Sequence, residues 1–507
     1  MTQLRLVPTL ALATLSLAPS ALAADVMVTT SAELTAAIAA AQPGDTLTLA
    51  DGVYPMSGVT CAASGTADAP ITVRSATPLG ARIEFDALEG FHVTGGHWHF
   101  EGLDVRGVCA SDDACEHAFH VTGGKAEGFV LRRSRVRDFN AQLKVNAAPD
   151  GQGTYQMANH GLVEFSEFAD THPRATANPV TKLNIDGGIG WIVRGNVLHD
   201  FRKAGGNEIS YGAFMKSGGS DGLFERNLVA CSKDDVSGGI RIGLSFGGGG
   251  TGPQFCAPAF DANVPCAVEH TNGVMRNNLI VGCSDVGIYV NRGKNTRLLF
   301  NTLVATSGID FRFDTTTGES HANLLMGKVR ARDGATFTVT DDRAEQPLEV
   351  FTSLYADPLA LDFAPKGDTA SLQVAAAHAE VSDDYCARSR PTTSLAIGAL
   401  EHSLGGCVVL PPPEGEGGGG ATSGGGAAGS GGATSGGGGT AGSGGAAPTT
   451  AGTGGSTASG ASEGASSSSG CAVGGTRIGA SGDGDAIVMV VLGGLLGRVW
   501  GRRRRRP

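Results

Sequence analysis

The stretches "GWIVRGNVLHDF" (190–201), "GLFERNLVACS" (222–232), "GVMRNNLIVGCS" (273–284) and "TRLLFNTLVATS" (296–307) repeat one design. A turn residue opens each, apolar residues alternate, one asparagine follows, and apolar residues resume. "GFVLRRSRVRDF" (128–139) and "GLVEFSEFAD" (161–170) carry the same pattern with serine in place of asparagine. The shared polar column is Ser134, Ser166, Asn196, Asn227, Asn278 and Asn301, with Gly102 one step earlier. The steps along it are 32, 32, 30, 31, 51 and 23 residues. A repeat of that length marks a solenoid or propeller. The units hold short strands of period two broken by Gly and Asn, with no helical-period segment between them. Identical amides on neighbouring coils can hydrogen-bond up a stack of parallel strands. The expected fold is therefore all-β, a right-handed parallel β-helix.

Working outward, "SAELTAAIAAAQPGDTLTLADGVY" (31–54) places an apolar-periodic helix ahead of the first coil, where it would cap the open end of the core. "YADPLALDF" (355–363) and "SLAIGALEH" (394–402) read as final irregular coils. Residues 1–23 carry Arg5, an apolar run and a terminal "ALA", the pattern of a signal peptide cleaved after Ala23. The β-helix domain is expected over residues 24–410. Residues 411–470 are almost entirely Gly, Ser, Thr and Ala, a tether with too little apolar surface to offset chain entropy. Residues 471–507 hold Cys471, a short apolar run from Ala486 to Trp500, and Arg502 to Arg506. This segment resembles the C-terminal sorting tails of myxobacterial surface proteins. That resemblance implies processing and anchoring at Cys471, sorting machinery or the outer membrane as partner, and a secreted or surface-anchored domain.

The net charge is −11 with the basic tail included, and no stripe of Lys or Arg crosses the domain, which excludes nucleic acid as the expected partner. Ten cysteines in an exported chain favour disulfides over metal clusters. Cys109 with Cys115, Cys256 with Cys266, and Cys386 with Cys407 are close enough to staple local loops. Cys231 and Cys283 follow equivalent asparagines on successive coils and are a further candidate pair, which leaves Cys61 over. Spacing alone does not settle the pairing. A monomer is expected.

"GAFMKSGG" (212–219) sets a lysine where aligned glycine pairs would put Lys216 level with Val93, Val121 and Ile185. A buried, unpaired ammonium costs several kcal/mol. A slip of one residue instead sends Met215 inward and Lys216 outward. Alternation likewise puts Ile240, Ile242 and Leu244 inward with Arg241 outward, and turns Lys182, Asn184 and Asp186 outward in "TKLNID". His120, Lys144, Asn184, Lys216, Arg241, Tyr289 and Arg312 then share one sheet. They form a mainly cationic groove on an acidic protein, suited to an anionic polymer.

"AAQPGDTLTLADGVY" (40–54), "GTADAPITVRSATPLGARI" (65–83), "HGLVEFSEF" (160–168) and above all "MKSGGSDGLFERNLV" (215–229) resemble polysaccharide lyase family six, which includes chondroitinase B and alginate lyases. The resemblance runs from about Ser31 through Asn301. It implies Lys216 as Brønsted base and Arg241 beside the leaving oxygen; the other groove residues His120, Lys144, Asn184, Tyr289 and Arg312 are the expected substrate-binding residues. The family's calcium site uses an asparagine and a Glu-x-Glu pair just before the lysine. This chain offers Glu208 with Asn184 and Asp186 a coil earlier, and lacks the second glutamate. The chemistry implied is β-elimination from an anionic uronate-containing polysaccharide of alginate or chondroitin/dermatan type. The residue types suit it: a neutral lysine takes the C5 proton, and a cation offsets the enolate-like charge. The alternative reading is a non-catalytic polysaccharide-binding or adhesive β-helix, since fold does not fix function.

Overall fold

The computed structural model describes residues 23–366 and 372–407. The expected tether at 411–470, the tail at 471–507 with Cys471, and the leader at 1–23 other than Ala23 lie outside the described residues.

Three long sheets of parallel strands, with 12, 10 and 10 members, run the length of the described unit. Each coil contributes one strand to each sheet. One coil supplies Ile192–Arg194, Val197–His199 and Ile209–Lys216; the next supplies Leu223–Glu225, Leu228–Ala230 and Ile240–Phe246. The chain is a parallel β-helix. Its interior is one continuous apolar cluster from Val28 to Phe337, filled by residues such as Val93, Phe119, Leu183, Met215, Phe246 and Val290.

The first two sheets meet at a two-residue turn, and the polar column lies there. Asn196 Nδ2 donates to Asn227 Oδ1 at 3.1 Å, Asn227 to Asn278 at 3.0 Å, and Asn278 to Asn301 at 2.9 Å. Each amide also donates to a carbonyl of the coil below, as Asn278 does to Phe224 at 3.0 Å. Its oxygen accepts the neighbour's backbone N–H as well. The stack continues to Asn323 and Asp342, two members the spacing did not single out. The residue before each amide has positive φ, including Arg226 at 54°, Phe300 at 53° and Gly195 at 62°. That left-handed step reverses the chain quickly enough to leave room for a single buried side chain.

The helix Ser31–Ala40 starts from a capping box between Thr30 and Glu33, buries Leu34 and Ile38, and packs on the first strands of the coil stack. At the other end the expected final coils are something else. Tyr355–Asp357 pairs antiparallel with Asp362–Pro365. Phe351, Leu354, Tyr355, Leu395 and Ile397 form a second apolar cluster with Val197, Leu228, Leu279 and Val281, distinct from the interior. This segment therefore covers the outside of the second sheet. Disulfides join Cys109–Cys115, Cys231–Cys283, Cys256–Cys266 and Cys386–Cys407, and Cys61 is free and buried.

Asn278→Ala would orphan two donors of Asn227 and remove two bonds donated by Asn278, each buried donor worth about 1–3 kcal/mol. The expected loss is about 3–5 kcal/mol in denaturant unfolding, against under about 0.5 kcal/mol for the exposed Glu208→Ala. Equal losses for the two variants would contradict the ladder's role.

Candidate active site

The strands of the third sheet are the longest, reaching 8 residues at Ile209–Lys216, and their outer face carries most of the candidate residues. Strict alternation fails there in a regular way. Phe214 and Tyr211, three residues apart, both join an outer apolar cluster with Ile242, Val286 and Tyr289, while Ala213 and Met215 belong to the interior. The extra inward step is taken by Gly212, where an added Cβ would press within 3.2 Å of the Phe201 ring. Gly90, Ala118, Gly243 and Gly287 occupy the same step on other coils, by register. Ile240, Ile242 and Tyr211 thus stand outside the core, with Ile240 exposed, contrary to the alternation reading. Lys182 is also corrected: it takes the extra inward step, and its Nζ donates to Asp170 Oδ2 at 2.6 Å and Phe139 O at 2.8 Å.

Register places His120, Lys144, Asn184, Phe214, Ser245 and Tyr289 in one outward column. Asn146, Asp186 and Lys216 form the next. Met215 is level with Ile185, so the one-residue slip is real and Lys216 leaves the core. Ser217 at φ 62° and Gly218 at φ 77° make the turn that follows it. Lys216 is nonetheless only 2% exposed. Its Nζ lies 3.6 Å from Asp186 and 5.1 Å from the centre of the Phe214 ring, and the Gly247–Thr251 segment lies over it. Gly248 is tight against the lysine stem: an added Cβ there would come 3.2 Å from Lys216 Cδ.

Asp186 is the centre of this cluster. Lys144 Nζ donates to it at 2.9 Å and to Asn184 Oδ1 at 3.4 Å, and Ser217 Oγ also donates to it. Burial alone would raise the Asp186 carboxyl, but the Lys144 and Lys216 ammoniums and the Ser217 and Lys144 hydrogen bonds override it and hold it well below the usual range. A fully buried Glu269 completes the surroundings, accepting from Ser217 N at 3.0 Å, Thr251 N at 2.9 Å and Thr251 Oγ1 at 2.6 Å. Tyr155 and Phe260, from two separate insertions, stack with ring centres 5.3 Å apart.

Next to the Gly247–Thr251 segment lies a cavity of about 360 Å³, lined among others by Tyr211, Ile242, Tyr289, Arg292, Arg312 and Arg332. Arg312 bonds Asp333 at 2.5 Å and Tyr289 Oη at 3.3 Å, which keeps it charged; Arg292 and Arg312 both face the Phe313 ring at 4.7 Å. The candidate substrate residues Tyr289 and Arg312 are brought together here. His120 is not among them: three coils from the Lys216 strand, its Nδ1 faces Glu89 at 2.7 Å.

Arg241 is the principal correction. It pairs with Ser210, six residues before Lys216, so about 20 Å of strand separates the two. Its guanidinium is spent on Asp235 at 2.8 Å, Ser232 Oγ at 2.9 Å and Ser237 O at 2.8 Å, with 2% of the residue exposed. The turn "CSKDDVSGG" folds back on the arginine instead of leaving it in the groove. The calcium set Asn184, Asp186 and Glu208 is not assembled either. Lys144 occupies the first two, while the exposed Glu208 lies eight residues, about 25 Å, from the level of Lys216. These residues do not fit a calcium cage.

No family model matches the chain. Pectate lyase L of Dickeya chrysanthemi is 28% identical over 158 residues, covering 25% of this chain and 37% of that protein. The chain thus matches well under half the length of that relative. The solved pectate lyase Pel9A is similar in fold, with a TM-score of 0.50 and 15% identity over 75% of this chain and 96% of its own. The PL6 family alginate lyase AlyGC superposes only at TM-score 0.31, with 15% identity over 64% of this chain and 52% of its own. It supports no assignment to family six.

Asp186 supplies a pH test. Its folded pKa is depressed, so its contribution to stability is present above the unfolded value of about 3.9 and is lost as pH falls from there toward the folded one. Asp186→Asn, which leaves Lys144 without its buried partner, should cost about 3–5 kcal/mol at pH 7. The gap should narrow below about pH 4 in denaturant titrations; a gap independent of pH would count against the pairing.

Proposed function

We propose that the chain is a polysaccharide lyase that cleaves an anionic, uronate-containing polymer by β-elimination, with Lys216 as the base. The observation that carries this reading is the position of Lys216: outside the core, paired with Asp186 beside Lys144, and adjoining an arginine- and tyrosine-lined cavity across Gly248. The partial sequence match to a pectate lyase supports the same class.

The neutral Lys216 amine takes the C5 proton. The electrons of that C–H bond form the C4=C5 double bond, the C4–O bond breaks, and the leaving oxygen takes up a proton. Arg312, with Arg292 and Arg332 around it, neutralises substrate carboxylates, and Tyr289 offers the hydroxyl that returns the proton. Arg241 is left out of the chemistry. Access requires the Gly247–Thr251 segment to move aside, and its glycines suit that: an added Cβ on Gly249 or Gly250 meets nothing within 4 Å. Four disulfides support reading the domain as exported, and we extend the proposal to a leader at 1–23 and surface anchoring through Cys471.

The test is absorbance of unsaturated product from polygalacturonate, alginate and chondroitin or dermatan sulfate. Lys216→Met should lower kcat by about 10²–10⁴-fold, the usual worth of a positioned base. Arg312→Gln should weaken kcat/KM, and Arg241→Gln should act through stability alone. Full activity in Lys216→Met would sink the mechanism, and binding without product on every polymer would establish the adhesive alternative.

A further inference from the structure

Three coils from Lys216, the same face carries a cluster that the lyase reading leaves unused. Glu89 and His117 are directly opposite each other on neighbouring strands, and His92 is opposite His120. Glu89-Gly-Phe-His92 and His117-Ala-Phe-His120 both show the double inward step, with Phe91, Ala118 and Phe119 in the core. That step is what brings residues three apart onto one face. Glu89 Oε1 is 2.7 Å from His120 Nδ1 and 3.6 Å from His117 Nδ1. The three ligand atoms all lie within 4.8 Å of one another. Tetrahedral bonds of about 2.0–2.1 Å separate ligand atoms by about 3.3 Å, so shifts of under about 1 Å would close the set on an ion.

The hydrogen bonding also orients the His120 ring. His120 Nε2 lies 3.0 Å from Asn146 Oδ1, while Nδ1 lies 2.7 Å from Glu89 Oε1. The Nε2–H to amide bond is the kind of outer support that fixes the ring of a ligating histidine. His117 Nδ1 is buried and finds no hydrogen-bond partner among the described residues. Lys144 is level with His120 on the next strand. The Lys144 charge is compensated by Asp186 at 2.9 Å.

We infer that Glu89, His117 and His120 form a binding site for a divalent transition metal of the zinc class, with Asn146 orienting His120. Two imidazoles and one carboxylate select such an ion over calcium, which takes six to eight oxygens. His92, with Nδ1 3.9 Å from Glu89 Oε2, stands beside the remaining position. The site does not depend on the lyase mechanism.

Tag-free full-length protein is titrated with Co²⁺, read by visible ligand-field absorption, and with Zn²⁺, read by calorimetry. The expected result is one site per chain, an affinity reduced at least tenfold in Glu89→Gln and in His117→Asn, and about 10–100-fold in Asn146→Ala. Zn²⁺ should raise the melting temperature of the parent protein and leave that of Glu89→Gln unchanged, with exposed His160→Ala behaving like the parent. Circular dichroism of the metal-free variants checks that each is folded; Glu89→Gln, being isosteric, covers the case in which His117→Asn is not. Absence of binding, or affinity unchanged in both Glu89→Gln and His117→Asn, would overturn the site.

Discussion

The amide ladder is the interaction on which the rest depends. A turn of two residues between sheets leaves no room for a conventional loop, yet it must satisfy backbone N–H groups of every coil in a dry interior. Asn227, Asn278, Asn301 and Asn323 do so by accepting from the preceding coil's backbone and amide while donating to one of its carbonyls, and Asn196 accepts from Ser166 N. Because every coil closes at the same place, strands in all three sheets stay in register, and the outer columns that carry chemistry become straight. The long insertion between Asn227 and Asn278 is accommodated without disturbing the ladder. It leaves from the end of the third sheet's strand after Phe246, far from the amide turn.

Most of the fold was legible for this reason. A polar residue recurring in an apolar frame has few uses, and stacking is one. Orientation on the third sheet was legible only in part. Alternation placed Met215 and Lys216 correctly but failed for Tyr211, Lys182 and Ile242, because the strands take two inward steps in succession. The signal was present: Glu89-Gly-Phe-His92, His117-Ala-Phe-His120, Tyr211-Gly-Ala-Phe214, Ile242-Gly-Leu-Ser245 and Val286-Gly-Ile-Tyr289 share an outward-small-apolar-outward phrase. A period-two reading has no place for it.

The site shows what one-dimensional reasoning misses. Lys216, Lys144 and Asp186 cluster because register makes them neighbours, and that register could be inferred. Arg241 was misplaced because residue type and coil adjacency were used without its level along the strand. What covers Lys216 comes from elsewhere: the Gly247–Thr251 segment, held by Glu269 through Thr251 and Ser217, which no repeat pattern encodes. A buried, paired lysine is also a different reagent from an exposed one. Its Nζ lies 3.6 Å from Asp186, which Lys144 also holds at 2.9 Å, so whatever approaches Asp186 is felt by both lysines.

The ladder has a direction. Every amide passes a hydrogen toward the C-terminal end, and the last recipient is Asp342, a side chain that accepts from Asn323 N at 2.7 Å and Nδ2 at 3.1 Å. An ionised carboxylate has no hydrogen to hand on, so it acts like a chain terminator in a one-way polymerisation. Burial raises its proton affinity, against the pull of Ser320 and Asn323, as expected where an anion is held among apolar neighbours. The coil count is thereby written into a single change of residue type. Asparagine propagates the stack, and aspartate ends it.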